Sequence, residues 1–259
     1  MNAAQRPMIY LGDHVALTRT AFEHKIYVDT RDISLTPHIL LDGYWEMWIT
    51  KIFTRLVQHG MTVVDIGANI GYYSLIAGGQ VGAAGKVISF EANPEVFRLL
   101  ANSMEINGFL GRSELVNKGV MDKGGELTFY KLGLHHGSSG FFIDPATVSQ
   151  YRDSMEKITV PCITLDEYFK GRDLKVDVIK IDAEGAEPAI IAGATEVLSK
   201  NPAIKVLMEY TPCNRPAVDR LFSLGFKMWN MGYDATLAPV TLEELDKRPD
   251  LSMLYFARE

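Results

Sequence analysis

The chain has 259 residues, 47% hydrophobic and 22% charged, the proportions of a folded unit with a substantial core. A net charge of −6, with no Lys/Arg run longer than a pair, argues against a polyanionic partner, so no nucleic-acid substrate is expected. Cys162 and Cys213 form neither a metal spacing nor a redox pair and read as small buried apolar residues in a reducing compartment. No stretch approaches a membrane-spanning length, and Met1 to Asp13 lack the charged-then-apolar pattern of a leader, so a cytoplasmic protein without membrane insertion is expected.

In chain order, residues 8–35 alternate enough to suggest short strands, clearest at Ile26-Tyr27-Val28. Pro37 reads as a break before a helix from about Tyr44 to His59, whose Trp45, Trp48, Ile49, Ile52, Phe53, Leu56 and Val57 recur at helical spacing. The next stretch, Val63 to Tyr73, is the most informative in the chain. A β-branched run closes on Asp65, and the loop Gly67-Ala68-Asn69-Ile70-Gly71 then opens a helix, the order of parts found where a nucleotide-like ligand meets the first strand of an α/β sheet. A dinucleotide loop would read Gly-x-Gly-x-x-Gly, whereas here Asn69 replaces the second glycine, and a carboxylate at Asp65 would repel a phosphate. Asp65 suits a ligand with a cationic amino-acid end, such as S-adenosylmethionine.

Val87-Ile88-Ser89-Phe90-Glu91 is the next strand, and its terminal carboxylate, 26 positions after Asp65, is placed to take both hydroxyls of a ribose. Glu91 is also a possible cap for the helix that Asn93-Pro94 starts. That helix runs from about Glu95 to Asn107, and Glu114-Leu115-Val116 is a third strand. Gly125 to Leu132 alternates like an antiparallel strand, a glycine-rich segment with His135 and His136 follows, and Ile158 to Ile163 pairs back, forming an inserted hairpin over about 125–163 that can act as a lid. The sheet resumes with Val176 to Asp182, a helix to about Leu198, a strand from Ile204 to Glu209, a helix from Arg215 to Leu224, and an antiparallel edge made by Phe226 to Trp229 with Met253 to Ala257. Strands separated by helices imply right-handed β-α-β units with helices on both faces, and they put Asp65, Glu91, Asp182 and Glu209 at the strand ends where ligands bind.

The motifs Asp65-x-Gly-Ala-Asn-x-Gly, Phe90-Glu91-x-Asn93-Pro94, Thr164-Leu165-Asp166 and Lys180-Ile181-Asp182-x-Glu184-Gly185-x-Glu187 resemble, in order and spacing, the FkbM-type family of S-adenosylmethionine-dependent methyltransferases over roughly residues 43–210. The resemblance implies a class I, Rossmann-like α/β fold with a seven-stranded sheet, parallel but for one strand. It divides the chain into an N-terminal extension, 1–42, and a methyltransferase domain, 43–259. It also implies methyl transfer to oxygen, often a hydroxyl of a sugar, glycoside or other small natural product. Carried over by position, Asp65, Gly67, Ala68, Asn69, Gly71 and Tyr72 form the loop at the methionine end of the cofactor, Glu91 and Ala92 hold its ribose, and Asn117 bounds the adenine. Tyr44 and Glu46 close over the cofactor, and Asp182 and Glu184 lie beside the transferring methyl.

Methyl transfer to a hydroxyl needs a collinear approach and a proton acceptor. Asp182 is the first candidate base, and His135 and His136 are the second, since imidazole titrates near neutral pH. Asp182, Glu184 and Glu209 supply oxygen ligands of the kind Mg²⁺ takes, although no paired Asp-Asp follows the next strand and metal dependence is not the favoured reading. Lys180, inside an apolar strand, requires a partner, with Asp182 or Asp65 in reach. The expected partner is a small-molecule or glycan acceptor, and a homo-oligomer is compatible with the sequence. A non-catalytic S-adenosylmethionine-binding module is the alternative function. An NAD-dependent oxidoreductase is disfavoured by the missing second glycine.

Overall fold

The computed structural model describes residues 7–142, 155–247 and 252–258. The first few residues and the middle of the expected hairpin therefore lie outside the described residues.

An antiparallel meander opens the chain: β1 (Ile9–Gly12), β2 (Val15–Arg19) and β3 (Lys25–Asp29). Two helices follow, α1 (Thr36–Leu41) and α2 (Met47–Leu56). Pro37 does not break the chain. It lies in the first turn of α1, where its missing N–H has no helical partner to lose. The helix expected from Tyr44 starts three residues later because Glu46 takes a left-handed conformation, φ +40°, as its N-cap.

The main sheet is built from β4 (Thr62–Ile66), β5 (Lys86–Phe90) and β6 (Ser113–Val116), with α3 (Tyr72–Val81) and α4 (Pro94–Ile106) as crossovers. A short strand β7 (Gly119–Val120) then joins β8 (Gly125–Leu132) and β9 (Met155–Ile163) in a separate three-stranded sheet of order β7-β9-β8. The expected hairpin is real, with Gly125 opposite Cys162 and Leu132 opposite Met155. After α5 (Leu165–Phe169), the main sheet takes in β10 (Val178–Ile181), and the helix expected next is two short ones, α6 (Glu187–Ala192) and α7 (Thr195–Lys200), divided at Gly193-Ala194. The chain continues with β11 (Lys205–Tyr210), α8 (Arg215–Ser223), β12 (Lys227–Met231), β13 (Leu237–Pro239), α9 (Leu242–Leu245) and β14 (Ser252–Ala257).

Among the described residues the main sheet has eight strands, in the order β13-β12-β14-β11-β10-β4-β5-β6. The expected seven are present, with β14 inserted antiparallel between β11 and β12. The eighth, β13, folds back on β12 at the edge, and its three exposed residues carry no hydrophobic alternation from which a strand could be read. Alternate residues of the central strands enter two cores. Val64, Ile88, Ile179 and Val206 face one layer of helices, and Val63, Val87, Val178 and Leu207 face the other. The parity that buries Val63 and Val178 sends Asp65 and Lys180 to this second face.

Gly67 joins two of these strand ends. Its φ is +73°, and a Cβ there would lie 1.9 Å from the backbone oxygen of Asp182. The glycine is thus required by the packing of the β4 loop on the end of β10. Gly67→Ala is expected to cost about 2 kcal/mol or more, because left-handed strain adds to displacement of a neighbouring backbone. Urea unfolding checks this, and unchanged stability would contradict it.

Candidate active site

The loop between β4 and α3 uses its own donors. The N–H groups of Gly67 and Ala68 both donate to the Phe90 carbonyl at 3.0 and 2.9 Å, and Gly71 donates to Ala68. Asn69 N–H donates to Glu91 Oε2 at 2.9 Å, and Ile70 N–H donates to Asn69 Oδ1 at 2.8 Å. With each amide from Gly67 to Gly71 already engaged, the loop is not a phosphate cradle, which removes the physical basis of a dinucleotide reading.

Glu91 is fixed at the end of β5. Its Oε2 accepts from Asn69 and its Oε1 from Asn93 N–H at 2.8 Å, while helix α4 is capped by Asn93 instead. The residue is 8% exposed and lines a cleft at the carboxyl ends of the strands. A carboxylate held this way keeps free lone pairs for two hydroxyl donors, which is the requirement of a ribose. Burial raises its pKa to about 7 against the opposing effect of the two backbone donors. Ile66, Gly67, Asn69, Ala92, Asp182 and Glu184 line the same cleft. An apolar wall of Phe90, Val96, Val120, Phe129, Phe141 and Ile190 completes it and gives a flat ring an apolar bed. Sequence reading missed most of this wall, along with Lys118 and Gly119, because Val120, Phe129 and Phe141 come from the region inserted after β6 and look like ordinary core.

Other expected site residues lie elsewhere. Asp65 is 1% exposed, beneath the loop, where it accepts from Ser74 Oγ at 2.6 Å; Ser74 also bonds Ser89. Its other oxygen, Oδ1, is buried without a hydrogen-bond partner. Tyr72 and Ala68 are core residues, the tyrosine hydroxyl lying 3.2 Å from Thr50 Oγ1. Gly71 is held against Leu100 rather than facing the cleft. Asn117 bounds nothing in the cleft: its amide donates to the Glu91 and Ala92 carbonyls and shapes the loop that carries them. Tyr44 packs against the core. His136 lines the cleft, and His135 is not among its lining residues. Of the cysteines, Cys162 is buried as expected but Cys213 is exposed.

Beside the cleft lies an acidic cluster around one cation. Lys180, 2% exposed, places Nζ 3.0 Å from Asp182 Oδ2 and 4.5 Å from the centre of the Tyr73 ring, and it sits opposite Asp65 in the β10–β4 pairing. Burial alone would lower the lysine pKa, but Asp182 and Asp65 outweigh it and leave it raised. Burial also pushes Glu46 to about 7, Glu184 to about 9 and Glu209 to about 8, with the Asp182 charge as the next cause in each. Glu187 accepts from Ala183 N–H at 3.0 Å, and its second oxygen is buried without a partner. Among the described residues, no group of three or more His, Cys, Asp or Glu is arranged to hold a metal ion, so Asp182, Glu184 and Glu209 do not form a preassembled metal centre. An unbalanced carboxylate cluster next to a ribose-type subsite and an aromatic wall does fit a ligand that joins adenosine to a cationic amino-acid end.

The raised carboxyls carry a pH signature. A carboxyl whose folded pKa exceeds its unfolded value near 4.5 stabilises the fold fully below that value and loses the contribution as pH rises through the folded pKa. The ligand-free protein should therefore lose thermal stability between about pH 5 and pH 9 through Glu46, Glu91, Glu184 and Glu209. Melting temperatures that rise across that interval would contradict the assignment.

Comparison with known proteins agrees with this geometry. The family model described as the methyltransferase FkbM domain matches residues 65–234. No curated protein matches the sequence. Solved structures resemble the chain at low identity. An S-adenosylmethionine-dependent O-methyltransferase from Thermotoga maritima is 14% identical, covers all of this chain and 87% of its own, and superposes with a TM-score of 0.48. Fibrillarin from Aeropyrum pernix, solved with S-adenosylmethionine bound, is 11% identical over 97% of this chain and 99% of its own, with a TM-score of 0.45. The protein aTrm5, in complex with tRNALeu, is 10% identical over 95% of this chain and 53% of its own, with a TM-score of 0.50. That last likeness corrects the expectation drawn from net charge: the same fold is seen on a tRNA, so an acidic balance with no basic run does not exclude a nucleic-acid substrate or single out a small-molecule one. No helix among the described residues is long and apolar enough to cross a membrane. With its family model covering most of the sequence and its sheet following the class I order, the chain belongs to the FkbM methyltransferase domain family of S-adenosylmethionine-dependent methyltransferases.

Proposed function

We propose that the protein transfers the methyl group of S-adenosylmethionine to a hydroxyl oxygen, a sugar hydroxyl in our reading. The observation that carries the proposal is the convergence of Glu91, Asn69, Asp182 and Glu184 on one cleft at the carboxyl ends of neighbouring strands. When bound, S-adenosylmethionine supplies an electrophilic methyl on a sulfonium sulfur. Glu91 receives the ribose hydroxyls, and the Phe129 and Phe141 side of the cleft receives the adenine. The carboxylates around Lys180 receive the cationic end.

Asp182 is 30% exposed at the mouth of this arrangement, so an acceptor can reach it. Its ion pair with Lys180 limits its rotation. In this role Asp182 accepts a hydrogen bond from the acceptor hydroxyl, sets its direction, and takes its proton as the new C–O bond forms. A rim rich in carboxylates suits an acceptor that brings hydrogen-bond donors, and a hydroxyl does.

Two substitutions separate binding from transfer. Glu91→Ala should weaken S-adenosylmethionine binding at least about tenfold, since charge-assisted hydrogen bonds are worth roughly 1.5–3 kcal/mol; calorimetry showing unchanged affinity would contradict the ribose assignment. Asp182→Asn should slow transfer about a hundredfold while affinity stays within a few-fold. Retention of full turnover would remove Asp182 from the chemistry. The acceptor screen with labelled cofactor includes glycosides, glycans and RNA, whose ribose offers the same group. Tight cofactor binding with no turnover on any of them would favour a non-catalytic binding module.

A further inference from the structure

His136 lies far in sequence from the motifs that form the cleft, yet it lines the cleft and its side chain is only 6% exposed. The N-terminal extension holds it there. Its backbone N–H donates to Asp32 Oδ1 at 3.2 Å, and its Nε2 is 3.7 Å from Asp29 Oδ2. Around it, Ile33 N–H donates to the Leu134 carbonyl at 2.9 Å and Gly137 N–H reaches Ser34 Oγ at 3.5 Å. Asp29 and Asp32 are themselves fixed. Arg31 Nη2 donates to Asp29 Oδ2 at 2.6 Å, and Asp32 Oδ2 accepts from the N–H groups of Leu35 and Thr36 at 2.9 and 2.8 Å.

One atom of this assembly is unexplained. His136 Nδ1 is buried without a hydrogen-bond partner. A buried polar nitrogen left unpaired costs free energy that a ligand donor would recover. The Asp29 carboxylate on the opposite edge of the ring favours the tautomer with its proton on Nε2, which makes Nδ1 an acceptor. His136 also lines a neighbouring pocket with Asn93, whose N–H donates to Glu91.

We propose that His136 is a cofactor-binding residue whose Nδ1 accepts a hydrogen bond from the adenosine half of S-adenosylmethionine, and that Asp29 and Asp32 of the N-terminal extension are positioning residues acting through it. The inference rests on the cofactor reading of the cleft and extends it. The segment from Leu134 to Phe141 becomes a strap clamped by the extension across the adenosine, and His136 serves binding rather than proton abstraction.

The test measures binding of S-adenosylhomocysteine and of adenosine alone by calorimetry, in the wild type and in His136→Phe, His136→Asn and Glu91→Ala. His136→Phe keeps the ring volume and removes the acceptor, so affinity for both ligands should fall roughly three- to tenfold, the effect of one hydrogen bond. His136→Asn, which retains a side-chain oxygen, should recover part of the loss. Hydrogen exchange at residues 134–141 should slow on ligand binding in the wild type and slow less in His136→Phe. Unchanged affinity in His136→Phe, with Glu91→Ala impaired, would overturn this inference and leave the cofactor site standing. Unchanged affinity in both would overturn the site itself. A loss for S-adenosylhomocysteine but not for adenosine would also overturn the inference.

Discussion

A single buried ammonium organises the catalytic end of this fold. Lys180 stands in a parallel strand flanked on both sides by strands, where an unpaired charge would cost several kcal/mol. Asp182 two residues on and Asp65 on the next strand make its burial tolerable, and Tyr73 covers it with the face of its ring. The consequence runs outward. Because the lysine fixes Asp182, the loop after β10 has a set path; because the Asp182 carbonyl lies against Gly67, the loop after β4 has one too. The two walls of the cleft are therefore set by one ion pair and one steric contact. More carboxylates gather there than one lysine balances, and the surplus is held as raised pKa values.

The fold was legible in the sequence wherever hydrophobic period and punctuation agreed. Val63 to Ile66, Val87 to Phe90 and Val178 to Ile181 are β-branched runs between turn signals, and each is a central strand. The glycine-opened helix and the Asn93-Pro94 start follow from local geometry alone. What escaped was set by contacts that hydrophobic period does not report. Pro37 starts a helix whose first N–H groups, at Leu35 and Thr36, are satisfied by Asp32, a capping relation weaker in sequence than the proline signal. The segment after Asp182 divides into two helices at Gly193, a position that packs on Met121 so closely that a Cβ would meet its carbonyl at 2.2 Å.

The site was legible in part for the same reason. Glu91 and Asp182 stand at strand ends, which the pattern of strands locates. Asp65 stands next to a strand end too, but its carboxylate lies beneath α3 against Ser74, which in turn bonds Ser89 of β5. The glycines of the first motif also answer to contacts that the motif does not show, Gly67 to the Asp182 backbone and Gly71 to Leu100. The N-terminal extension carried no motif of its own, and its bearing on the cleft depends on contacts between residues about a hundred positions apart.

The most direct measurement of the central claim is a crystal structure with S-adenosylhomocysteine bound. This account predicts adenosine in the cleft, its ribose hydroxyls on the Glu91 carboxylate and its sulfur turned toward Asp182. Ligand found elsewhere on the sheet, or an adenosine whose ribose is held by groups other than Glu91, would contradict it.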